Sequence, residues 1–211
     1  MKLKQKFIEL FNLGGKASHS FQGEDIMLWR YFQKRKIRNG FFIDVGAYHP
    51  KYFNNTWRLR KKLGFRGINI EPTNNINLFK LYRRNDINIA CVIGDEAKWT
   101  YLNVVKGNLQ LSGLDKSKMA ERANGILPTD QYTLTDIVKT YKVKTIDLLD
   151  VDVEGSEMGV LRGYDWSIRP RLILIEDDKD KEGEIQEFLT VKYYKQIAHT
   201  LNNALYEDGT L

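Results

Sequence analysis

The stretch FFIDVGAYHP, residues 41–50, decides the fold that we predict for this chain. Four apolar residues in FFIDV surround a single aspartate, Asp44, and such a short apolar run is typical of a strand buried inside a sheet. Gly46 follows directly, and a glycine there allows a tight turn and a close approach of the backbone to another group. We therefore predict a buried strand over 41–45 that ends in a loop able to approach a ligand.

Similar apolar runs follow along the chain and alternate with helical patterns. The further predicted strands cover 67–70, 87–93, 146–151 and 171–175. The predicted helices cover 23–36, 56–63, 75–82, 133–141, 156–161 and 183–189. Strands that alternate with helices predict an α/β fold in which helices cover both faces of a mostly parallel sheet. The last segments, 194–200 and 204–206, predict a hairpin, since Asn202 and Asn203 tolerate a left-handed turn.

The region from 98 to 130 has a weaker pattern. Residues 99–105 alternate like an additional strand, whereas 107–128 carry glycine, serine, asparagine and lysine. The second segment predicts a long mobile loop, and long loops in compact domains are often functional. This segment is either a lid over the site or an ordinary solvated loop, and the sequence does not choose between the two interpretations.

The composition predicts a single globular domain. The 211 residues are 42% hydrophobic and 12% aromatic, and no apolar run reaches the roughly 18–20 residues of a membrane span. We assign 1–19 to a basic amphipathic helix or extension, which packs on the domain in preference to a membrane surface, and 20–211 to the domain. The basic start is a poor secretory signal, and the single cysteine, Cys91, excludes an intramolecular disulfide, so we expect a cytoplasmic protein.

The formal net charge of +6 raises the question of an anionic partner. The basic residues occur in short groups at 34–38, 58–62 and 83–84, so solvated helix faces and one anion-binding spot account for the charge. No aromatic signature of RNA binding accompanies them, so a nucleic-acid partner is not favoured. An RNA-binding or RNA-methylating protein stays open as an alternative, which a steep salt dependence of RNA affinity would support.

Every predicted strand leads into at least one acidic residue. In open α/β sheets ligands bind outside the carboxyl ends of the strands, where these acids would meet. The acids at the strand ends are Asp44, Glu71, Asp95, Asp150, Asp152, Glu154, Glu176 and Asp177. A turn or a helix cap explains any one of them, but acids at five strand ends together favour a functional site.

Glu71, at the end of the second strand, suits a ribose because two vicinal hydroxyls can donate to one carboxylate. The loop DVGAYHP lacks the G-x-G-x-x-G pattern that brings backbone against a pyrophosphate, which favours S-adenosylmethionine over a nicotinamide dinucleotide. Gly46 and Ala47 would let the backbone approach this cofactor. Asp44 would meet its ammonium group, and Asp95 is a candidate for the adenine amino group or a simple turn residue. A nicotinamide-dependent oxidoreductase stays open as a second enzyme class.

Several motifs occur in a fixed order along the chain. They are QGED (22–25), FIDVGAYHP (42–50), GFRGINIEP (64–72), NDIN (85–88), IDLLDVDVEG (146–155), VLRGYDW (160–166) and RPRLILIE (169–176). Together they resemble the FkbM-type S-adenosylmethionine-dependent O-methyltransferases over residues 20–206. The resemblance implies a Rossmann-like class I methyltransferase fold, with a seven-stranded sheet that ends in the antiparallel hairpin, and methyl transfer to a hydroxyl of a small molecule or glycan. One departure is Asn54, where the family often has a serine.

A hydroxyl needs activation before it accepts a methyl group, and a general base is one device for this. His49 is the only histidine at a predicted strand end, and its ordinary pKa of about 6.5 suits proton abstraction. Asp152 is the second candidate catalytic residue. A loop histidine that caps the next helix is the alternative for His49.

A divalent metal that lowers the pKa of the hydroxyl is the other device. The candidate ligands are Asp152, Glu154, Glu176 and Asp177, which supply the oxygen atoms that Mg²⁺ prefers. Without the ion, acids this close should have raised pKa values. Hydrogen bonds to the helix start at Gly155 and a buried ion pair are the alternative roles of these acids. The loop 107–128 would then close as a lid, with LSGLD (111–115) against the acceptor.

Overall fold

The computed structural model describes residues 18–105, 107, 109, 112–114, 123–177 and 183–211. Its helices are α1 (Glu24–Lys34), α2 (Trp57–Leu63), α3 (Ile76–Tyr82), α4 (Leu134–Thr140), α5 (Glu157–Arg162) and α6 (Glu184–Val191). Its strands are β1 (Phe41–Val45), β2 (Arg66–Ile70), β3 (Ile87–Ile89), β4 (Val92–Gly94), β5 (Lys98–Val104), β6 (Gly125–Thr133), β7 (Leu148–Val151), β8 (Leu172–Glu176), β9 (Tyr194–His199) and β10 (Asn203–Asp208). Most of the predicted N-terminal extension, residues 1–17, lies outside the described residues.

The main sheet has seven strands within the described residues, in the order β3-β2-β1-β7-β8-β10-β9. The first five of these strands run parallel, and β10 is antiparallel to both β8 and β9. This is the Rossmann-like fold with a C-terminal hairpin that the resemblance implied. The carboxyl ends of the parallel strands share one edge of the sheet, which is where such folds bind ligands.

Side chains alternate between the two faces of β1 and so divide the core in two. Ile43 and Val45 join a cluster with side chains of α4, α5 and α6, whereas Phe42 joins a second cluster with side chains of α1 and α2. Each fully buried side chain of this kind contributes about 1.5–3 kcal/mol. Helices therefore cover both faces, as predicted, and Asp44 shares the α1–α2 face with Phe42 because strand residues two apart point the same way.

The prediction of one strand over 87–93 is wrong. Strand β3 forms the edge of the main sheet, and β4 leaves that edge to join a second sheet of order β4-β6-β5. Both halves of the segment are apolar and Cys91 between them is buried, so hydrophobic periodicity does not mark the break. The break carries Asp95 away from the ends of the other strands.

The prediction of a loop over 107–128 is wrong at its end, where β6 pairs antiparallel with β5. Gly125 and Pro128 lower the strand propensity of β6, so turn chemistry concealed it. Residues 112–114 are held beside β5, because Gly113 and Asn103 exchange backbone hydrogen bonds of 3.1 and 3.0 Å. The rest of the predicted loop lies largely outside the described residues.

Two local predictions are confirmed, namely the helix predicted over 133–141 and the C-terminal hairpin. Thr133 and Asp136 form a reciprocal capping box before α4: Thr133 Oγ1 accepts from the N–H of Asp136, and Asp136 Oδ2 accepts from the N–H of Thr133, each at 3.0 Å. Strands β9 and β10 form the predicted hairpin, although neither Asn202 nor Asn203 has a positive φ. Among the described residues, no helix combines the length and apolar character that a membrane span requires.

Candidate active site

The carboxyl ends of β1, β2 and β7, together with β4, surround a cavity with about 540 Å³ of empty space, part of it open to solvent. Ile93 and Leu102 give the cavity an apolar side, whereas Glu71 and Asp152 give it a polar one. Residues 112–114 also line it. The cavity therefore lies at the edge where the sequence placed its acids.

Gly46 lies where the loop after β1 crosses the loop after β7. Its φ is +83°, and a Cβ at this position would stand 1.8 Å from the carbonyl oxygen of Asp152, so the crossing requires glycine. Tyr48 and Glu154, one on each loop, have φ angles of 52° and 53°, a left-handed conformation that is costly for residues with a side chain. Backbone strain of this kind concentrates at functional sites. The sequence analysis explained Gly46 by the close approach of the cofactor to the backbone. The packing of the two loops is a second reason for a glycine at this position.

Asp44 is 4% exposed and is held through one oxygen. Its Oδ2 accepts hydrogen bonds from Thr56 Oγ1 (2.8 Å) and Asn54 Nδ2 (3.2 Å). Burial raises the pKa of Asp44, and the Arg83 guanidinium and these hydrogen bonds oppose the rise. Asp150 stands opposite Asp44 in register on β7, and burial together with the Asp44 charge raises the pKa of Asp150 well above its ordinary value.

Asn54 is a buried residue of the site that sequence reasoning did not assign. Its Nδ2 donates to Asp44 and to the carbonyl of Ala47, and its Oδ1 accepts from the backbone N–H groups of Thr56 and Trp57. One side chain thereby fixes the loop between β1 and α2 at several points. The departure from the serine often present in the family was the only signal, since periodicity does not mark a polar residue in a loop.

Glu71 ties the loop after β1 to the end of β2. It is 5% exposed, and its Oε2 accepts from the N–H of Tyr48 (2.9 Å) while its Oε1 accepts from the N–H of Thr73 (2.8 Å). Burial raises the pKa of Glu71, and these hydrogen bonds oppose the rise. The carboxylate therefore shapes the loop and also lines the cavity.

Four of the five predicted cofactor-binding residues lie together at the adjacent ends of β1 and β2. They are Asp44, Gly46, Ala47 and Glu71. Gly46 and Ala47 both donate their N–H groups to the carbonyl of Ile70 at 3.0 Å, which closes the loop onto β2. Asp95, the fifth, is exposed and lies in a neighbouring cleft instead.

That cleft is larger and more open, with about 1290 Å³ of empty space, and it shares Leu114 and Ser156 with the cavity. Its charged and amide lining residues are Asp95, Lys98, Asn103, Gln131, Arg162 and Glu184. Tyr101 adds an exposed aromatic ring, which packs edge-on against exposed Trp99 with ring centroids 5.4 Å apart. The cleft can therefore hold an extended polar molecule beside the cavity.

His49 caps the turn that follows it. Its Nδ1 accepts hydrogen bonds from the backbone N–H groups of Lys51 (3.1 Å) and Tyr52 (3.0 Å). Burial lowers the pKa of His49, and the charges of Arg83 and Lys51 lower it further. Because Nδ1 accepts, the neutral ring carries its proton on Nε2, which can then donate but not abstract a proton. This geometry favours the capping alternative, and the general-base role stays a prediction for mutagenesis.

Three of the four predicted metal ligands come together. Asp152, Glu154 and Glu176 each offer a carboxylate oxygen, and these oxygens lie within 4.8 Å of one another. Burial raises the pKa of Asp152 well above its ordinary value and the Glu154 charge adds to this, which is the direction expected for such a group without an ion. Asp177 is not part of this group among the described residues, and its Oδ2 lies 3.9 Å from His199 Nε2.

Glu157 shapes the turn that presents these acids. Its Oε1 accepts from the N–H groups of Gly155 (2.9 Å) and Val153 (3.2 Å), and the residue is buried. The sequence offered Asp152 and Glu154 as alternative partners for this helix start. In the structure Glu157 accepts the hydrogen bonds of this helix start, and both Asp152 and Glu154 line the cavity.

Comparison with known families gives a match over most of the chain. The model of the methyltransferase FkbM domain matches residues 44–207, from Asp44 at the end of β1 to Glu207 in β10. The matched range contains every residue that the sequence assigned to the site. A search of curated proteins found no match.

Proposed function

The chain belongs to the FkbM methyltransferase family, and we propose that it transfers a methyl group from S-adenosylmethionine to a hydroxyl of a carbohydrate or a related small molecule. Family membership makes it a methyltransferase; the cofactor and the acceptor are the proposed part. The observation that carries the proposal is Glu71, a carboxylate at the end of β2 that lines the same cavity as Gly46. A carboxylate there suits the two ribose hydroxyls of a nucleoside.

The residues that line the cavity suit S-adenosylmethionine, which when bound supplies an electrophilic methyl group. Val92, Ile93 and Leu102 line the cavity together with Glu71, so a flat nucleobase has apolar contacts next to the ribose site. Asp44 lines a smaller cavity of about 360 Å³ that adjoins the main one at Gly46. A carboxylate in that position suits the ammonium of the amino-acid part.

The neighbouring cleft supports a carbohydrate acceptor. A sugar presents many hydroxyls and needs donors and acceptors along its length, which the polar lining of the cleft supplies. Tyr101 offers an exposed ring face against which the apolar side of a sugar ring can pack. The shared residues Leu114 and Ser156 join this cleft to the cofactor cavity, so an acceptor held there can extend one hydroxyl toward the methyl donor.

Asp152 is the residue that we assign to the acceptor hydroxyl. It lines both the main cavity and the smaller one. Its raised pKa suits a group that accepts a proton. Together with Glu154 and Glu176 it also fits Mg²⁺, which would lower the pKa of a bound hydroxyl. Chelation separates the two roles, since only the second depends on an ion.

Titration calorimetry with S-adenosylhomocysteine tests the cofactor assignment. We expect saturable binding that EDTA does not abolish, because Glu71 and Gly46 need no metal. Absence of that binding, together with fluorescence quenching by NADH, would overturn the proposal in favour of a nicotinamide enzyme. Transfer of a labelled methyl group from S-adenosylmethionine to a panel of mono- and oligosaccharides tests the acceptor, and transfer to RNA alone would overturn the acceptor class.

A further inference from the structure

Arg83, the residue directly after α3, is fully buried beneath the candidate site. Its Nε donates to the carbonyl of Pro50 (2.9 Å). Its Nη1 donates to Thr56 Oγ1 (2.7 Å) and Asn69 Oδ1 (3.1 Å), and its Nη2 donates to Asn54 Oδ1. All of these acceptors are uncharged. Since a buried charge requires compensation, the guanidinium must be balanced by an anion beyond its direct partners.

The charges of Asp44 and Asp86 both stabilise the charged form of Arg83. Of these two anions, Asp44 is the one that Arg83 reaches through two side chains. Thr56 Oγ1 accepts from Arg83 and lies 2.8 Å from Asp44 Oδ2. Asn54 accepts from Arg83 through Oδ1 and donates through Nδ2 to the same Asp44 oxygen at 3.2 Å. Two hydrogen-bonded relays therefore begin at one guanidinium and end at one carboxylate oxygen. The sequence assigned the basic groups, 83–84 among them, to solvated helix faces and one anion-binding spot, and no pattern in the chain reveals that Arg83 is buried.

The relays determine which oxygen of Asp44 remains for a ligand. The Thr56 hydroxyl has one proton, and the Asn54 Oδ1 that it could also reach already accepts from Arg83 and from two backbone N–H groups. The Thr56 proton is therefore directed to Asp44 Oδ2. Within the described residues both side-chain hydrogen bonds to Asp44 end on Oδ2, so Oδ1 is the oxygen left for the small cavity that Asp44 lines.

The surrounding charge explains why Asp44 needs this support. Glu71 after β2, and Asp150 and Asp152 on and after β7, all repel the charge on Asp44. Arg83 attracts it from the end of α3. The α3 arginine thus offsets a site that is otherwise crowded with acids.

We propose that Arg83 is a positioning residue for the cofactor: acting through Thr56 and Asn54, it holds Asp44 so that the carboxylate faces the ammonium group of S-adenosylmethionine. This inference rests on the proposed function. The alternative is that Arg83 only anchors the loop after β1 to β2. The two roles differ in ligand dependence, because positioning of Asp44 affects only ligands that carry the ammonium group.

Calorimetry with two ligands tests the inference. S-Adenosylhomocysteine carries the ammonium, whereas 5′-methylthioadenosine has the same thioether nucleoside without the amino-acid part. Arg83→Met and Thr56→Val should each lower the affinity for the first ligand about tenfold, because a contact to a charged group is weakened. Both should change the affinity for the second ligand less than about twofold. Thr56→Ser keeps the hydroxyl and should restore the wild-type preference.

Arg169→Met is the matched control. Arg169 makes a comparable two-pronged contact with Asp208 (3.0 and 2.8 Å) at the opposite edge of the sheet, so its loss should leave both affinities unchanged. Equal losses for the two ligands in Thr56→Val would overturn the positioning role and support the anchor. Thr56→Val alone decides the question if Arg83→Met does not fold. A wild-type protein that binds neither ligand would instead overturn the proposed function.

Discussion

The carboxylate of Glu71 accepts a hydrogen bond of 2.9 Å from the backbone N–H of Tyr48, so an acid at the end of β2 holds the strained turn after β1. Its second oxygen accepts from the N–H of Thr73. The same carboxylate is our candidate partner for the ribose. The shape of this loop depends on the Glu71 side chain, and in our proposal cofactor binding depends on it too.

Glu71→Gln should weaken binding of S-adenosylhomocysteine about tenfold and lower the free energy of unfolding by about 1–3 kcal/mol. An amide offers one acceptor oxygen where the carboxylate uses two, so one backbone N–H would face an NH₂ group. Calorimetry and urea denaturation measure the two effects. Glu96→Gln on an exposed acid paired with Lys98 is the control and should change neither. Wild-type affinity in Glu71→Gln would contradict the ribose assignment.

Gly46→Ala should lower the free energy of unfolding by about 3 kcal/mol or more, because the added Cβ meets the carbonyl of Asp152. Binding of S-adenosylhomocysteine should be lost with it. Gly183→Ala is the matched control: Gly183 also has a positive φ, but a Cβ there meets no atom of the described residues within 4 Å, so only the backbone cost of about 1–3 kcal/mol applies and the overlap cost at Gly46 is absent. Thermal unfolding compares the two variants, and equal shifts would show that the loops do not cross closely at Gly46.

Asp150→Asn should stabilise the protein increasingly as the pH rises. Burial and the charges of Asp44 and Asp152 raise the pKa of Asp150, so the folded state holds this proton more tightly than the unfolded chain. The stability linked to Asp150 is present at low pH and is lost as the pH rises through the raised pKa. Urea denaturation in EDTA between about pH 5 and pH 8 should show that the free energy of unfolding of Asp150→Asn rises relative to that of the wild type as the pH increases.

Asp208→Asn should have the opposite effect on stability, because the pKa of Asp208 is lowered in the folded state. Burial tends to raise the pKa of Asp208, but its hydrogen bonds with Arg169 and Thr210 outweigh burial and lower it. The stability linked to Asp208 is therefore present above its unfolded pKa. The variant should be less stable than wild type throughout the same pH range, and a gain at high pH would contradict the electrostatic account of both sites.

His49→Asn and His49→Ala separate the capping role from the base role. The Oδ1 of asparagine can replace Nδ1 as acceptor for the N–H groups of Lys51 and Tyr52, but it cannot take a proton. We expect His49→Asn to keep turnover within about twofold, and His49→Ala to lower the free energy of unfolding by about 1 kcal/mol. A large loss of turnover in both variants, with unchanged affinity for S-adenosylhomocysteine, would instead establish the base.

Glu176→Gln and Asp177→Asn test the metal ligands. Glu176 belongs to the group with Asp152 and Glu154, whereas its neighbour Asp177 faces His199. If Mg²⁺ activates the acceptor hydroxyl, turnover falls in EDTA and returns with Mg²⁺, and Glu176→Gln loses this response while Asp177→Asn keeps it. Binding of Mn²⁺ followed by electron paramagnetic resonance gives a readout that does not depend on turnover. Equal Mn²⁺ affinity in both variants would remove Glu176 from the ligand set.

Much of the fold could be predicted because it depends on local pattern. Apolar runs such as 41–45 and 171–175 indicate buried strands whichever strands become their neighbours in the sheet. The capping box at Thr133 and Asp136 is equally local, because its two residues are three apart in the chain. The break between β3 and β4 could not be predicted, since both strands are apolar and only their partners differ. Strand β6 could not be predicted either, because it forms through pairing with β5 although its glycine and proline disfavour a strand.

The chain by itself determined that acids follow its buried strands, and this brought Asp44 and Glu71 to two adjoining cavities, because parallel strands end at the same edge. Only the tertiary structure decided what those acids do. In the tertiary structure Arg83 is buried under Asp44, and Glu157 accepts the backbone hydrogen bonds of the turn after β7. Asp177 lies beside His199, apart from the group that contains its neighbour Glu176. Hydrogen bonds and charge compensation join side chains that are distant in the chain, so their partners are settled by packing and leave no periodic mark in the sequence.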